Sequence, residues 1–295
     1  MFDPIFTGVG TALVTPFLKN GDVDYQGIRN LVELQIAGGT NAIVACGTTG
    51  EKSTLRHEEH LKVIETIIDA VNHRVPVIAG TGSNDTRYTV ELSNEAESLG
   101  VDALLLVTPY YNKTSQEGLI THYYHVADRV QSPIILYNVP SRTGLNILPE
   151  TYEVLSKHPN ILATKEANRD ISTLAKTVAL CGDALHIYSG NDDQTIPMIS
   201  MGAKGVISVF SNLCPNIMSS ICQLALAGRF NDAVLLQNRF LPLINDMFCD
   251  VNPTPIKEAM NLMGIPVGCC RMPLGKLSPK NKEKIHSRLV KLGMI

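Results

Sequence analysis

The 295-residue sequence has no block of basic residues, no apolar run of the roughly 20 residues needed to span a bilayer, and no CxxC pair. Each absence removes a class of function. Phosphate binding needs clustered Lys and Arg, so a chain of net charge -3 without such a cluster is not read as a nucleic-acid surface. A missing apolar span argues against a membrane protein. The opening "MFDPIFTGVG" carries an acid early and lacks a basic start and an apolar core, so no signal peptide is expected and the chain reads as cytoplasmic. The seven cysteines are odd in number and scattered, with Cys46, Cys214 and Cys222 in apolar settings and Cys269-Cys270 adjacent. They read as free, largely buried thiols rather than as disulfides or zinc ligands.

What is present is globular: 44% hydrophobic and 18% charged residues. The length suits one large α/β barrel or two ordinary domains. Eight short apolar runs recur along the first two thirds: "TALVTPF" (11–17), "NAIVACG" (41–47), "VPVIAGTG" (75–82), "DALLLVTP" (102–109), "PIILYNVP" (133–140), "ILATKEA" (161–167), "ALHIYSG" (184–190) and "KGVISVFS" (204–211). Such runs predict strands buried on both faces. Between them lie segments of helical spacing. In 61–71 the residues Leu61, Ile64, Ile67, Ile68 and Val71 make one stripe, with Glu58, Glu59, Lys62, Glu65 and Asp69 largely opposite. Gly38-Gly39, Gly100, Gly182 and Gly202 stand where these helices should end.

Eight strands alternating with helices predict a (β/α)8 TIM barrel. An open doubly wound sheet would announce a nucleotide with a glycine-rich first turn. "TGVGTALV" precedes a strand instead of following one, "GTGSND" lacks the third glycine, and neither carries GK[ST]. After residue 215 four helices follow without strands, at "NIMSSICQLALAG", "FNDAVLLQNRFLPLINDMF", "PTPIKEAMNLMG" and "SPKNKEKIHSRLVKLG". The first should close the barrel. This divides the chain into a barrel over 1–228, carrying the active site, and a small C-terminal helical region over 229–295.

Barrel chemistry gathers at the C-terminal ends of the strands. Those ends carry Thr48, Thr49 and Glu51 in "GTTGE", Tyr110 and Tyr111 in "TPYYNK", Tyr137, Asn138 and Arg142 in "YNVPSRTG", Lys165 and Glu166 in "TKEA", and Ser189, Gly190 and Asp192 in "SGND". Each has a bland alternative: a Thr-Thr-Gly turn is often a helix cap, a buried tyrosine often only satisfies its hydroxyl, and Arg142 could sit in a surface ion pair. Lys165 is the sharpest case. Its structural alternative is a salt bridge to Glu166 or Asp192. Its functional reading is a Schiff-base nucleophile, since burial lowers an ammonium pKa toward about 7–8 and frees the amine. Strand alternation points Ala163 the same way, one layer below, leaving room for the long stem. The "HEEH" at 57–60 places its histidines three apart and is not a metal-binding HExxH.

"ACGTTGE", "VTPYYNK", "ILYNVPSRTG" and "TKEA", in this order and spacing, resemble the dihydrodipicolinate synthases, now called 4-hydroxy-tetrahydrodipicolinate synthases, of the class I pyruvate-dependent lyase/aldolase superfamily. "NPTPIKEAMNLMG" looks like the family's NPxPxK segment. The resemblance runs from about residue 5 to 275. It implies condensation of pyruvate with L-aspartate 4-semialdehyde in the diaminopimelate route to lysine, with no cofactor and no metal. It further implies that Lys165 forms the imine, that Tyr137 is the nearby acid/base, and that Thr48 hydrogen-bonds Tyr137. Tyr111 would complete the proton relay from a neighbouring subunit of a homotetramer built as a dimer of dimers. Thr49 and the backbone at Gly190 and Ile207 would line the pyruvate site, and Arg142 would hold the semialdehyde carboxylate. N-acetylneuraminate lyases share the lysine and the turn, but the "PSRTG" arginine and the "GTTGE" doublet favour the synthase.

Many relatives are inhibited by lysine bound between subunits, and His57, His60, Asn84 and Tyr110 match that pocket; the histidines have helix-surface positions as their bland alternative. The pattern breaks where Tyr88 replaces a glutamate and Lys52 and Ser53 follow the turn. The expectation is weak or absent lysine feedback.

Overall fold

The structure, a computed structural model, describes residues 3–295. Eight parallel strands close a barrel in chain order: β1 (Gly8–Ala12), β2 (Ala42–Ala45), β3 (Val77–Gly80), β4 (Ala103–Val107), β5 (Ile134–Asn138), β6 (Ile161–Glu166), β7 (His186–Ser189) and β8 (Gly205–Ser208). Around them run α1 (Tyr25–Ala37), α2 (His57–Val71), α3 (Thr86–Ser98), α4 (Gln116–Ala127), α5 (Pro140–Thr143), α6 (Pro149–Leu155), α7 (Ile171–Cys181), α8 (Thr195–Ser200) and α9 (Pro215–Leu226). The C-terminal region adds α10 (Phe230–Asp246), α11 (Thr254–Leu262) and α12 (Pro279–Leu292). This is the expected TIM barrel with its helical C-terminus. Among the described residues no helix is long and apolar enough to cross a membrane.

Local chemistry sets the helix ends. The carboxylates of Asp24, Asp85 and Asp170 and the hydroxyls of Ser115 and Ser278 accept from backbone N–H groups of the first turns of α1, α3, α7, α4 and α12. The expected glycines do follow the helices, and Gly39, Gly100, Gly182 and Gly202 all take positive φ. In α2 the buried stripe is Val63, Ile64, Ile67 and Val71, with Leu61 and Ile68 at its half-buried margins.

Strand alternation builds two separate apolar layers. One set of side chains, including Val9, Ile43, Leu104, Leu136 and Val206, faces the helices. The other, including Val44, Ile78, Leu105, Ile135, Ala163, Tyr188 and Ile207, fills the barrel interior. Phe6 enters that interior beneath the strands. Its ring stacks on Tyr188 at 4.2 Å, and the Tyr188 hydroxyl donates to the Phe6 carbonyl at 2.7 Å.

The first strand is displaced from its expected place at 11–17: it is Gly8–Ala12. Closure against β8 pairs Gly8 with Gly205, and a Cβ on Gly205 would stand 1.8 Å from the Gly8 carbonyl oxygen. Only glycine permits that approach, and Gly205 also holds φ +150. The apolar "LVTPF" instead leaves the barrel toward the C-terminal region, where the Phe17 N–H donates to the Val267 carbonyl at 3.1 Å.

The C-terminal region is locked to the barrel by a buried ion pair. Lys257 on α11 and Glu51 after β2 have side chains 2% and 0% exposed and meet at 2.9 Å. Lys257 spends its other donors on the carbonyls of Thr15 (3.0 Å) and Cys269 (3.1 Å), and the Arg271 N–H fills the second Glu51 oxygen at 2.8 Å. Removing one partner of such a pair strands the other charge. Lys257→Met or Glu51→Gln alone is expected to cost about 3–5 kcal/mol, and the double substitution to recover part of that loss. Urea unfolding at one protein concentration measures both; additive losses in the double variant would show that the two residues are not coupled.

Candidate active site

Lys165 lies at the upper end of β6, in register with Tyr137 of β5 and Tyr188 of β7. It is 5% exposed, and its Nζ stands 4.4 Å from the centroid of the Tyr137 ring. Alternation along β6 turns the next residue, Glu166, outward. There its carboxylate accepts from Asn138 Nδ2 (3.0 and 3.1 Å), the Tyr152 hydroxyl (2.9 Å) and the Asn168 N–H (2.6 Å). Burial pushes this carboxyl up to about 7, against the pull of those hydrogen bonds.

Asp192 is also engaged elsewhere. One of its oxygens accepts from the Val209 and Phe210 N–H groups at 3.1 Å each, tying the end of β7 to the end of β8. Burial raises its pKa, and the Lys165 charge acts weakly the other way. Neither acid bonds to Lys165 among the described residues, so the salt-bridge alternative for this lysine fails.

The turn after β2 is wound tightly. The Gly50 N–H donates to the Gly47 carbonyl and the Glu51 N–H to the Thr48 carbonyl, both at 3.1 Å, while the Thr15 hydroxyl donates to the Gly50 carbonyl at 2.7 Å. Glu51 then takes φ +55 and drops its carboxylate onto Lys257. Thr49 is buried and receives Asn252 Nδ2 at 3.0 Å. The sequence-predicted Thr48 is left at the mouth of the barrel, half-buried.

Two adjoining cavities open there, sharing Thr48, Tyr137, Val139 and Arg142 as walls. The larger, about 460 Å³, gathers Lys165, Tyr137, Thr48, Thr49, Arg142 and Gly190. A Cβ on Gly190 would press on Ala167 Cβ at 2.8 Å and on the Glu166 carbonyl at 3.0 Å, so glycine keeps this wall close. The side chain of Arg142, on α5, has one hydrogen bond among the described residues, a long 3.5 Å contact to the Asn252 carbonyl. Among the described residues the lining holds no carboxylate. A pocket with a lysine, two arginines and no acid suits a substrate that brings its own negative charge.

Two expected members stand apart. Ile207 is buried in the barrel interior and contributes no wall to the cavity; Val209 does. Tyr111 is 93% exposed. Its backbone sits at φ +70, and the Asn112 N–H donates to the Tyr110 carbonyl across it at 2.9 Å, a strained γ-turn. No hydrogen bond links Thr48, Tyr137 and Tyr111 among the described residues.

The candidate lysine pocket is not gathered in one cavity either. Tyr110 lines the smaller cavity beside Lys52 and Ser53. His57 instead meets Tyr88 Oη at 3.3 Å, with its Nε2 2.7 Å from Glu95 Oε2. His60 is buried, not on the helix surface, and desolvation with the Lys52 and His57 charges pulls it down to about 3. The Asn84 carbonyl accepts from Asn112 Nδ2 at 2.9 Å.

Sequence reasoning missed Asn168, Arg169, Asn191, Phe248 and Asn252, all on the larger cavity's wall. Arg169 and Asn168 were within reach, since they follow Lys165 on the same strand end. Phe248 and Asn252 come from the turn between α10 and α11, and no local pattern ties that turn to the barrel mouth. The seven cysteines are free thiols, four of them buried, and no cluster of three or more metal-ligating side chains occurs among the described residues.

The profile described as the dihydrodipicolinate synthetase family matches residues 5–292. A 4-hydroxy-tetrahydrodipicolinate synthase from Caldicellulosiruptor saccharolyticus is 51% identical over 291 residues, which is 99% of this chain and 98% of that one. A chloride-inhibited dihydrodipicolinate synthase from Acinetobacter baumannii, solved in complex with pyruvate, is 43% identical with a TM-score of 0.96, covering 99% of this chain and 100% of that one. A lysine-bound structure from Cyanidioschyzon merolae is 34% identical with a TM-score of 0.96, again covering 99% and 100%. Matched from end to end in sequence and in fold, the chain belongs to the dihydrodipicolinate synthetase family.

Proposed function

We infer that this chain is a lyase catalysing the 4-hydroxy-tetrahydrodipicolinate synthase reaction, in which pyruvate condenses with L-aspartate 4-semialdehyde in lysine biosynthesis. The observation that carries the reading is Lys165: an amine 5% exposed, unpaired with any acid, in a cavity whose only other charges are arginines. An amine so placed attacks the ketone of pyruvate, and loss of water leaves an imine. The imine draws electrons from the pyruvate methyl, which yields a proton and becomes the enamine that attacks the aldehyde.

Tyr137, whose ring lies against the Lys165 amine, passes those protons. A free phenol is a poor acid/base alone at neutral pH, and the chain Tyr137–Thr48–Tyr111 shares the load. Thr49, Gly190 and the backbone near Ile207 hold pyruvate, and Arg142 clamps the semialdehyde carboxylate with its planar fork. A sugar-cleaving lyase would call for hydroxyl-binding groups in that place. The barrel (1–228) and the helical region (229–295) act as one structural unit, because Lys257 is buried between them.

Pyruvate followed by borohydride is expected to leave a reduced adduct on Lys165, found by peptide mass spectrometry and abolished in Lys165→Ala. Turnover should follow with aspartate semialdehyde and not with N-acetylmannosamine. No adduct would refute the Schiff-base reading, and turnover of the sugar alone would refute the synthase.

Tyr111 reaches its partners only across an interface, so we propose a homotetramer in which paired subunits exchange this residue. Tyr111→Phe should lower kcat by about 10²-fold or more with the adduct still forming. Mixing it with Lys165→Ala under subunit exchange should restore activity, since hybrids hold one complete site. A mixture no more active than its parts would place the relay within one chain.

Feedback by lysine is expected to be weak. Tyr88 offers no carboxylate to a ligand ammonium, and Lys52 lines the cavity beside Tyr110 as a competing cation. Loss of a charged contact costs over about 1 kcal/mol, tenfold or more in affinity. Inhibition assays should show little effect of micromolar lysine; strong inhibition there would contradict this assignment.

A further inference from the structure

The Glu166 carboxylate is buried, at 5% exposure, and no cation pairs with it among the described residues. Its partners are all neutral donors: Asn138 Nδ2, the Tyr152 hydroxyl and the Asn168 N–H. A buried charge of that kind is a poor stabiliser, and its best-attested use is to fix a register. The hydrogen bonds around it form a closed ring. Asn146 Oδ1 accepts from Asn138 Nδ2 at 2.8 Å and from Asn168 Nδ2 at 3.2 Å, and Asn138 Oδ1 accepts the Ile147 N–H at 3.1 Å. The ring thus joins the ends of β5 and β6 and the two loops that follow them.

The register at that level needs fixing. β6 carries one extra residue against β5: Ile134 pairs with Ile161, but Ile135 pairs with Ala163, so Leu162 is left unpaired in a bulge. Above the bulge Tyr137 pairs with Lys165, and Asn138 with Glu166. A slip that removed the bulge would set Thr164 beside Tyr137 and turn Lys165 to the helix side, because a shift of one residue flips every side chain. Main-chain ladder bonds can re-form in either register. The bonds from Asn138 to a carboxylate cannot, since after the slip Asn138 Nδ2 would meet the Lys165 ammonium, a donor facing a donor.

We propose that Glu166 is a positioning residue for Lys165, a role that rests on the reading of Lys165 as the nucleophile. Its carboxylate, bonded to Asn138, pins β6 against β5 above the bulge and so holds the amine at the face of Tyr137. The same ring places the wall beside the amine, because Asn168 and the adjoining Arg169 line the larger cavity.

The rate at which borohydride traps pyruvate on Lys165 is the first readout, and crystal structures of the full chain are the second. Glu166→Ala and Asn138→Ala should each lower the trapping rate at least about tenfold, and the double variant should lose no more than the worse single one, because both remove the same pin. Glu166→Gln still offers an oxygen to Asn138 and should stay within about threefold of wild type. The crystals should show Lys165 Nζ displaced from the Tyr137 ring in Glu166→Ala and in place in Glu166→Gln. Circular dichroism checks folding, and Glu166→Asp, one methylene short of its partners, replaces the alanine variant if that one is not folded. Wild-type trapping in Glu166→Ala with only a lower Tm would overturn the proposal, leaving a brace of the fold. So would a glutamine variant as slow as the alanine one, which would mean that charge and not the pin acts on Lys165. A wild-type chain that traps no pyruvate refutes the Schiff-base reading alone, and the Lys165 positions in the crystals still decide the pin.

Discussion

The candidate site depends on one buried contact, the ion pair between Glu51 and Lys257. A charge pair sealed from water is not obviously stabilising, because both ions give up hydration. Here every donor of Lys257 and both oxygens of Glu51 are filled, so the geometry offsets that loss. What the pair achieves is placement. Glu51 is the last residue of the turn that presents Thr48 and Thr49, and it is held in the left-handed region, where a non-glycine residue needs a reason to stay. Lys257 belongs to the segment that also brings Asn252 onto Thr49. The helical C-terminus thus pins the mouth of the barrel, and the hydroxyls around Lys165 inherit their positions from it.

The same economy of charge governs the surroundings of Lys165. Strand alternation and the β6–β7 junction keep the two nearest acids from Lys165. Glu166 is turned outward into a cage of Asn138, Tyr152 and Asn168, and Asp192 is spent on the backbone of the β8 loop. A lysine with an acid at hydrogen-bond distance would be fixed as an ammonium and could not attack a carbonyl. The cavity instead surrounds it with arginines and hydroxyls. That arrangement favours a carboxylate-bearing substrate.

Much of this was legible in the sequence, for physical reasons. Strands buried on both faces leave unbroken apolar runs, and helices between barrel and solvent leave stripes, so seven of the eight strands fall inside their expected ranges. The first did not, because β1 is built on Gly8 and Gly10, and hydrophobicity is silent where closure demands the absence of a side chain. Local motifs named Lys165, Tyr137, Thr48 and Arg142, since strand ends converge by topology. Long-range partners stayed hidden: nothing in "NPTP" says that Asn252 will meet Thr49. His60 shows the converse error. It follows two glutamates, and its bland alternative is a helix-surface position, yet it faces inward and is buried neutral.

The exposed, strained Tyr111 points beyond the single chain. A large aromatic side chain 93% exposed loses nothing by being replaced with a polar one, and a backbone at φ +70 costs the isolated chain roughly 1–3 kcal/mol. Neither feature stabilises a monomer. Both make sense where a second copy covers the ring and the strained turn aims it away from its own barrel. The Asn112 contacts to Asn84 and across the turn hold that posture before any partner arrives. Pre-paid strain of this kind lowers the ordering cost of docking. In the relay proposed above, Tyr111 would then act in a neighbouring site, because the chain that holds Lys165 directs its own Tyr111 outward.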